Sequence, residues 1–405
     1  MMRIAYVCAD PGVPVFGRKR GSIRVKGCSI HVQEMIRAFV GLGARVELFA
    51  TCAEGDPPPG LEDVPVHPLP AVLGSRIGDR ERAALAANDG LRDALEGAGP
   101  FDLVYERYSL WSSAAILYAR RAGVPGLLEV NAPLIEEQAE HRGLEDRPGA
   151  ERVMGQLLDE ATALIAVSEE VAAYLGRYPG TNGRVSVVPN GVDPDRFRLG
   201  LTPSRAGDAG TFTVGFVGAL KPWHGLTVLV EAFDQLHRRA PEARLLIVGD
   251  GPEGVSMAED LSRRGLRSAT DFTGAVDPVA IPELLTSMDV AVAPYPELSH
   301  FYFSPLKVYE YMAAGRPVVA SRVGQLVRLI QHGVNGLLCP PGDAAALADS
   351  LDKLRVDPDL RDRLGAAARA TILEGHSWQA AARRVLNISG IAKIPAPSPG
   401  VEGLR

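Results

Sequence analysis

Short apolar runs recur along the whole chain, and longer segments of helical period separate them. In the first half these runs predict strands at 3–8, 45–50, 103–105, 125–130, 163–166 and 185–188, with a helix over 29–42 that Gly43 ends. In the second half the same reading predicts strands at 212–217, 243–248, 270–272, 290–293, 317–320 and 336–338. Strands alternating with helices imply an α/β protein built of parallel layers. Two consecutive sets imply two Rossmann-like domains, 1–198 and 212–375, with a cleft between them. The turn-forming stretch 199–211 reads as the linker. A last helix is expected over 376–390, led by His376-Ser377-Trp378, and the Pro/Gly-rich tail 391–405 is expected to be disordered.

The most informative stretch runs Phe303-Ser304-Pro305-Leu306-Lys307-Val308-Tyr309-Glu310-Tyr311-Met312-Ala313-Ala314-Gly315-Arg316-Pro317-Val318-Val319-Ala320-Ser321. It reads as a loop, a short helix and a buried strand. Ser304 suits the N-cap and Pro305 the first helical position, where a missing N–H costs nothing. Gly315 ends the helix and Pro317 blocks its continuation. The free N–H groups of the first turn, the helix dipole and the Lys307 charge together make an anion site. Glu310 lies one turn further on, about 5 Å along the axis. A phosphate at the helix tip leaves Glu310 near a hydroxyl of an attached sugar, a spacing that suits a nucleoside diphosphate.

Composition narrows the class. The 405 residues suffice for two domains with filled cores, and 46% hydrophobic with 23% charged content fits a globular protein. A net charge of −6 argues against nucleic-acid binding by bulk charge. No apolar run is long enough to span a bilayer, and residues 1–8 lack the apolar core and cleavage site of a signal peptide. The expectation is a cytoplasmic protein whose four cysteines, Cys8, Cys28, Cys52 and Cys339, are reduced thiols. Neither they nor any carboxylate cluster has metal-ligand spacing, so no metal is expected. No Gly-x-Gly-x-x-Gly follows a strand with an acid some twenty residues on, which argues against a dinucleotide site.

The run Pro189-Asn190-Gly191-Val192-Asp193, with Phe197, closely resembles the interdomain signature of the family 4 retaining glycosyltransferases, and 303–321 resembles their donor-binding helix. The resemblance implies the GT-B fold, with the last helix crossing back to the first domain. It implies a retaining, metal-independent transferase that moves a sugar from a nucleoside diphosphate sugar to a glycan, a glycolipid or a small molecule. The nucleotide sugar is then a co-substrate, and no cofactor is needed. The leaving diphosphate itself helps to deprotonate the acceptor, so no protein nucleophile is required. Glu310 carries over as the group that holds the ribose. The family's second Glu, eight positions earlier, is Tyr302 here.

In the loop Gly218-Ala219-Leu220-Lys221-Pro222-Trp223-His224-Gly225, the family's Arg position is Ala219 and its Lys position is His224. Lys221, His224 and Lys307 are therefore expected to share the cationic role, with His224 donating a hydrogen bond to phosphate. Gly218, Gly249, Ala275, Val276, Ser304 and Leu306 complete the expected donor site. On the acceptor side stand Gly27, His31, Arg107 and Glu129, with Asn131 in place of a family His that contacts the transferred sugar. Asn131 joins Lys221, His224 and Lys307 as a catalytic candidate. The loop 10–27 carries five basic residues, and its segment 18–26 is the candidate for a peripheral contact at the inner face of the membrane. Two alternatives stay open. One is a sugar-nucleotide epimerase using Glu106 or Glu129. The other is a catalytically silent carbohydrate- or nucleotide-binding relative.

Overall fold

Every apolar run of the first half becomes a strand of one parallel sheet in the computed structural model, which describes residues 1–16, 27–298, 301–302 and 304–391. The basic segment 18–26, Phe303 and the tail 392–405 lie outside the described residues.

The strands of the first unit are β1 (Arg3–Cys8), β2 (Arg45–Ala50), β3 (Val66–Pro68), β4 (Leu103–Arg107), β5 (Gly126–Val130), β6 (Ala163–Ala166) and β7 (Val185–Val187). Among the described residues they form a seven-stranded sheet in the order β3-β2-β1-β4-β5-β6-β7. Its helices are α1 (Gly27–Gly41), α2 (Ile77–Ala98), α3 (Ala114–Ala122), α4 (Leu134–His141), α5 (Arg147–Glu160) and α6 (Glu169–Leu175). The central strands are near-continuous apolar runs because both faces are covered, as in other parallel sheets. The strand order reverses beside β1, which pairs with β2 on one side and β4 on the other. In open α/β sheets such a reversal leaves a crevice at the carboxyl ends of the strands.

The second unit repeats the plan. Its strands are β8 (Phe212–Val217), β9 (Ala243–Val248), β10 (Thr270–Phe272), β11 (Val290–Ala293), β12 (Val318–Ser321) and β13 (Leu337–Cys339). Their order is β10-β9-β8-β11-β12-β13, with the reversal beside β8. Its helices are α7 (Leu226–Arg239), α8 (Gly254–Arg263), α9 (Ile281–Thr286), α10 (Leu306–Ala313), α11 (Leu326–Leu329), α12 (Ala344–Val356) and α13 (Pro358–Gly375).

The final helix, α14 (Trp378–Ile388), belongs to the first unit, where it packs against α1. It buries Trp378, Ala381, Ala382, Val385 and Leu386 at the spacing of one helical face. The first unit runs to Asn190 and the second begins at Gly191, eight residues before the end of the domain read from the sequence at 198. Residues 191–198 are bonded into the second unit. The Val192 N–H donates to the His376 carbonyl at 3.0 Å, and the Arg369 guanidinium donates to the carbonyls of Phe197 and Ala313. Tyr302–Ser304 goes with the first unit, although the chain on either side belongs to the second. No helix among the described residues is long and apolar enough to cross a membrane.

Candidate active site

In the second unit, β8 ends at Val217 and the chain turns through Gly218 into a 3-10 turn, Pro222–His224. Gly218 has a φ of 145°, and a Cβ there would sit 3.0 Å from Lys307 Nζ. Gly249, at the carboxyl end of β9, has a φ of 133°, and a Cβ there would meet the Gly218 carbonyl at 2.1 Å. Glycine at both positions is what allows these loops to close on each other. The Gly249 N–H donates to Gly274 O at 3.0 Å, which places the segment leading into Ala275 and Val276 beside them.

The start of α10 adjoins the same place. Tyr311 fixes it there: its hydroxyl accepts from the Val217 N–H at 2.8 Å and donates to the Val217 carbonyl at 3.1 Å. Lys307, in the first turn, lays its ammonium 4.2 Å from the ring centroid of Phe216 and 5.4 Å from that of Tyr295. Such contacts attract a cation but supply no hydrogen-bond acceptor. Nζ is shut off from solvent and has no hydrogen-bond partner among the described residues. Burial pulls its pKa down from the usual lysine range to about 7, against a smaller opposing pull from Glu310.

His224 shares the two rings, with centroids 5.9 Å from Phe216 and 5.7 Å from Tyr295. Its Nδ1–H donates to the Ala219 carbonyl at 2.5 Å. Burial, aided by the Lys307 and Lys221 charges, lowers its pKa to about 3, so the ring is neutral at ordinary pH. Lys221 itself reaches over the indole of Trp223, 5.7 Å from the ring centroid.

In the first unit, His31 on α1 is buried between two acceptors. Its Nε2 lies 2.6 Å from Glu129 Oε1 and its Nδ1 lies 2.7 Å from Asn190 Oδ1. The Asn190 amide orientation is fixed independently, because its Nδ2 donates to the Ser304 carbonyl at 2.7 Å. Its backbone N–H donates to Ser304 Oγ at 3.1 Å. The His31 ring is thus held from both sides, by the Glu129 carboxylate and by the Asn190 amide oxygen. Burial would raise the Glu129 pKa, but His31 and then Arg107, whose Nη1 is 3.6 Å from Oε2, outweigh it and hold the carboxyl at about 2. Glu106 is different. Its Oε1 accepts from Ser112 Oγ at 2.5 Å, its Oε2 has no partner, and burial pushes its pKa up to about 7.

A cavity of about 170 Å³ opens where β1, β2 and β4 end, lined by Asp10, Thr51 and Ser109 and walled by α2 and α4. Arg80 and Arg142 are its basic residues.

The known proteins that resemble the chain agree on one class. Residues 211–357 match the family described as Glycosyl transferases group 1, and residues 26–191 match the Glycosyl transferase 4-like domain. The D-inositol 3-phosphate glycosyltransferase of Stackebrandtia nassauensis is 31% identical over 372 residues, covering 84% of this chain and 82% of that protein. The chain is a family 4 glycosyltransferase. The Frankia alni protein of the same description is 31% identical over 400 residues, covering 91% of this chain and 95% of its own. Among solved structures, Anabaena HepE, crystallised with UDP and glucose, superposes with a TM-score of 0.69 at 20% identity, covering 96% of this chain and 99% of that one. A Rickettsia africae glycosyltransferase superposes at 0.72 and 19% identity, with 96% and 97% covered. The two-domain Rossmann-like GT-B fold expected from the sequence is the one observed.

For this glycosyltransferase the epimerase and binding-only readings are not favoured, and the carboxylates an epimerase would use are engaged: Glu106 with Ser112, Glu129 with His31. In the second unit, Gly218, Lys221, His224, Gly249 and Lys307 come together, with Leu306 and Glu310 on α10 and Ala275 and Val276 beside Gly274. In the first unit, His31, Arg107 and Glu129 form one buried network, whereas Gly27 is the exposed first residue of α1. Asn131 follows β5 with its Nδ2 buried and unpartnered. Two details differ from the sequence reading. Ser304 does not cap α10, whose N-cap is Pro305, because Asn190 takes its hydroxyl. His224 has no proton on Nε2 to give to phosphate, because the Ala219 carbonyl holds the only one the neutral ring has. Sequence reasoning also passed over Tyr311, Tyr295 and Phe216. Their aromatic type, beside the end of a strand for Phe216 and Tyr295 and inside a helix for Tyr311, is their signal in one sequence.

Proposed function

We propose that this glycosyltransferase transfers a sugar, with retention of configuration, from a nucleoside diphosphate sugar held by the second unit to a small polyol phosphate held by the first. The observation that carries the reading is the Lys307 ammonium, buried without a partner at the start of α10. An uncompensated buried cation is costly, and a diphosphate supplies the missing charge. The α10 N-terminus adds the backbone N–H groups of Leu306 and Lys307, and Lys221, lying over Trp223, adds a further cation. Glu310, one turn along α10, takes the ribose hydroxyls. Gly249, Ala275 and Val276 line the path of the base.

In the reaction the bond from the anomeric carbon to the diphosphate oxygen breaks, and a bond to the acceptor oxygen forms on the same face. The acceptor proton passes to the departing phosphate oxygen. Lys307 and the helix tip stabilise the charge that grows on the diphosphate, which is where preorganised charge does most for the rate. No metal and no further cofactor take part. Asn131, with its free Nδ2 at the end of β5, offers a hydrogen bond to the transferred sugar. His31, Arg107 and Glu129 brace the floor of the acceptor side.

The cavity where β1, β2 and β4 end supports the acceptor class: it is small, polar at Thr51 and Ser109, and carries Arg80 and Arg142 for an anion beside the acids Asp10 and Glu81, with Arg142 also paired to Glu137. The relatives named for D-inositol 3-phosphate fit that chemistry. Contact of segment 18–26 with the inner face of the membrane belongs to the same proposal, for a cytoplasmic enzyme. The test is a matrix of nucleotide sugars against inositol phosphates and the parent inositol, scored by nucleoside diphosphate release. The expected result is release with a phosphorylated polyol that Arg142→Ala abolishes. Equal release with the unphosphorylated polyol would remove the anionic acceptor.

A further inference from the structure

The two groups under the diphosphate site have unequal claims on a proton. Lys307 Nζ is buried over Phe216 and Tyr295 with no hydrogen-bond partner among the described residues, and the Glu310 charge only partly compensates it. His224, beside the same rings, has its Nδ1–H committed to Ala219 O, and among the described residues Nε2 has no hydrogen-bond partner. We propose that the empty site is undercharged, that a nucleoside diphosphate binds together with one proton taken up by Lys307, and that His224 stays neutral and accepts a hydrogen bond at Nε2 from a hydroxyl of the transferred sugar. The inference rests on the donor-site reading above and adds to it which group carries the charge and which reads the sugar.

The order of protonation supports this. Lys307 titrates at about 7 and His224 at about 3, so an incoming diphosphate finds Lys307 far easier to charge. Among the described residues, the charged and titratable groups around Lys307 are Glu310 on its own helix, His224 and Lys221 on the turn after β8, and Tyr295 after β11. Only Glu310 among them is an acid, and it does not bring Lys307 back to the usual lysine range. Lys221 and His224 lie on the side that disfavours a second charge, which keeps His224 neutral. Glu310 serves the ribose one turn along the helix. His224 stands on the phosphate side of the site, where the transferred sugar begins.

The experiment is calorimetric titration of the full-length protein with UDP, GDP and ADP, each in two buffers of different ionisation heat, at pH 8 and pH 6. At pH 8 Lys307 is mostly neutral in the empty site, so binding should take up about one proton. At pH 6 the site already holds it, and uptake should fall to about zero. Lys307→Arg, always charged, should bind without uptake. Lys307→Met should lose uptake and bind about 10- to 150-fold more weakly. Nitrogen NMR of labelled histidine should show Nε2 of His224 unprotonated with and without nucleotide. His224→Phe should weaken a bound nucleotide sugar about 2- to 12-fold while leaving the matching nucleoside diphosphate unchanged. Binding with no proton uptake at pH 8 would overturn the Lys307 assignment while leaving the donor site in place. Protonation of His224 Nε2 on binding, or equal loss of nucleotide and nucleotide sugar in His224→Phe, would overturn its role as an acceptor. No binding by any of the three nucleotides would overturn the donor-site reading and this inference together.

Discussion

Removing the Lys307 charge should stabilise the empty protein, and by an amount that depends on pH. Methionine at 307 keeps the length and the aromatic contacts but has no ammonium to bury. The folded-state pKa of about 7 lies below the ordinary value of 10.5, so between these pH values the unfolded chain binds more protons than the folded one. Wild-type stability therefore rises with pH through that window. The destabilisation is present in full below about pH 7 and is lost as pH climbs toward 10.5. A shift of this size is worth at most about 5 kcal/mol, and moving from pH 6 to pH 9 should recover about 2–3 kcal/mol of it. The Lys307→Met protein lacks the effect, so its advantage over wild type should shrink by that amount between the two pH values. Hydrogen exchange read on peptides from β8 and β11 reports the opening free energy of the second unit without assuming that the whole chain unfolds in one step. Parallel stability profiles for the two proteins would refute the reasoning, because a solvated or paired Lys307 gives no differential titration.

Three further outcomes follow from the geometry. Asn190→Ala removes the acceptor at His31 Nδ1 and the Nδ2 hydrogen bond to the Ser304 carbonyl, while the backbone bond to Ser304 Oγ remains, and thermal denaturation should show a loss of about 2–4 kcal/mol. Glu129→Gln leaves His31 and Arg107 facing a neutral group in the interior and should cost about 3–5 kcal/mol at pH 7. Its wild-type carboxyl titrates near 2 instead of 4.5, so the stability it gives is present above pH 4.5 and is lost as pH falls toward 2, a slope that the Gln protein should lack. Tyr311→Phe strips both backbone groups of Val217 of their partner, and should cost about 1–3 kcal/mol and weaken nucleotide binding by loosening α10 against β8.

What the sequence made legible was what depends on near neighbours. Continuous apolar runs such as 245–248 and 290–293 mark buried parallel strands, because both faces of such a strand want the same residue types. Val66–Pro68 escaped notice because it is three residues long, only partly buried and ends in proline. Lys307 and Glu310 were readable because their relation is helical spacing. Ser304 was misread as a cap because its partner, Asn190, is 114 residues away, and no local pattern announces it. The loss of His224 as a phosphate donor turns on one carbonyl, that of Ala219, whose direction is set by the turn after Gly218 and not by any side chain. Tyr302, in the place of a family acid, donates instead to Glu137 on α4 at 3.2 Å within the first unit.

The central claim is that the diphosphate of the donor sits at Lys307 and the tip of α10. Its most direct measurement is a crystal structure of the enzyme with the nucleoside diphosphate that binds it best. A phosphate oxygen should lie within about 3 Å of Lys307 Nζ and of the first α10 amides, with the ribose on Glu310. A diphosphate bound elsewhere, with Lys307 still enclosed by Phe216 and Tyr295 and no anion beside it, would contradict it.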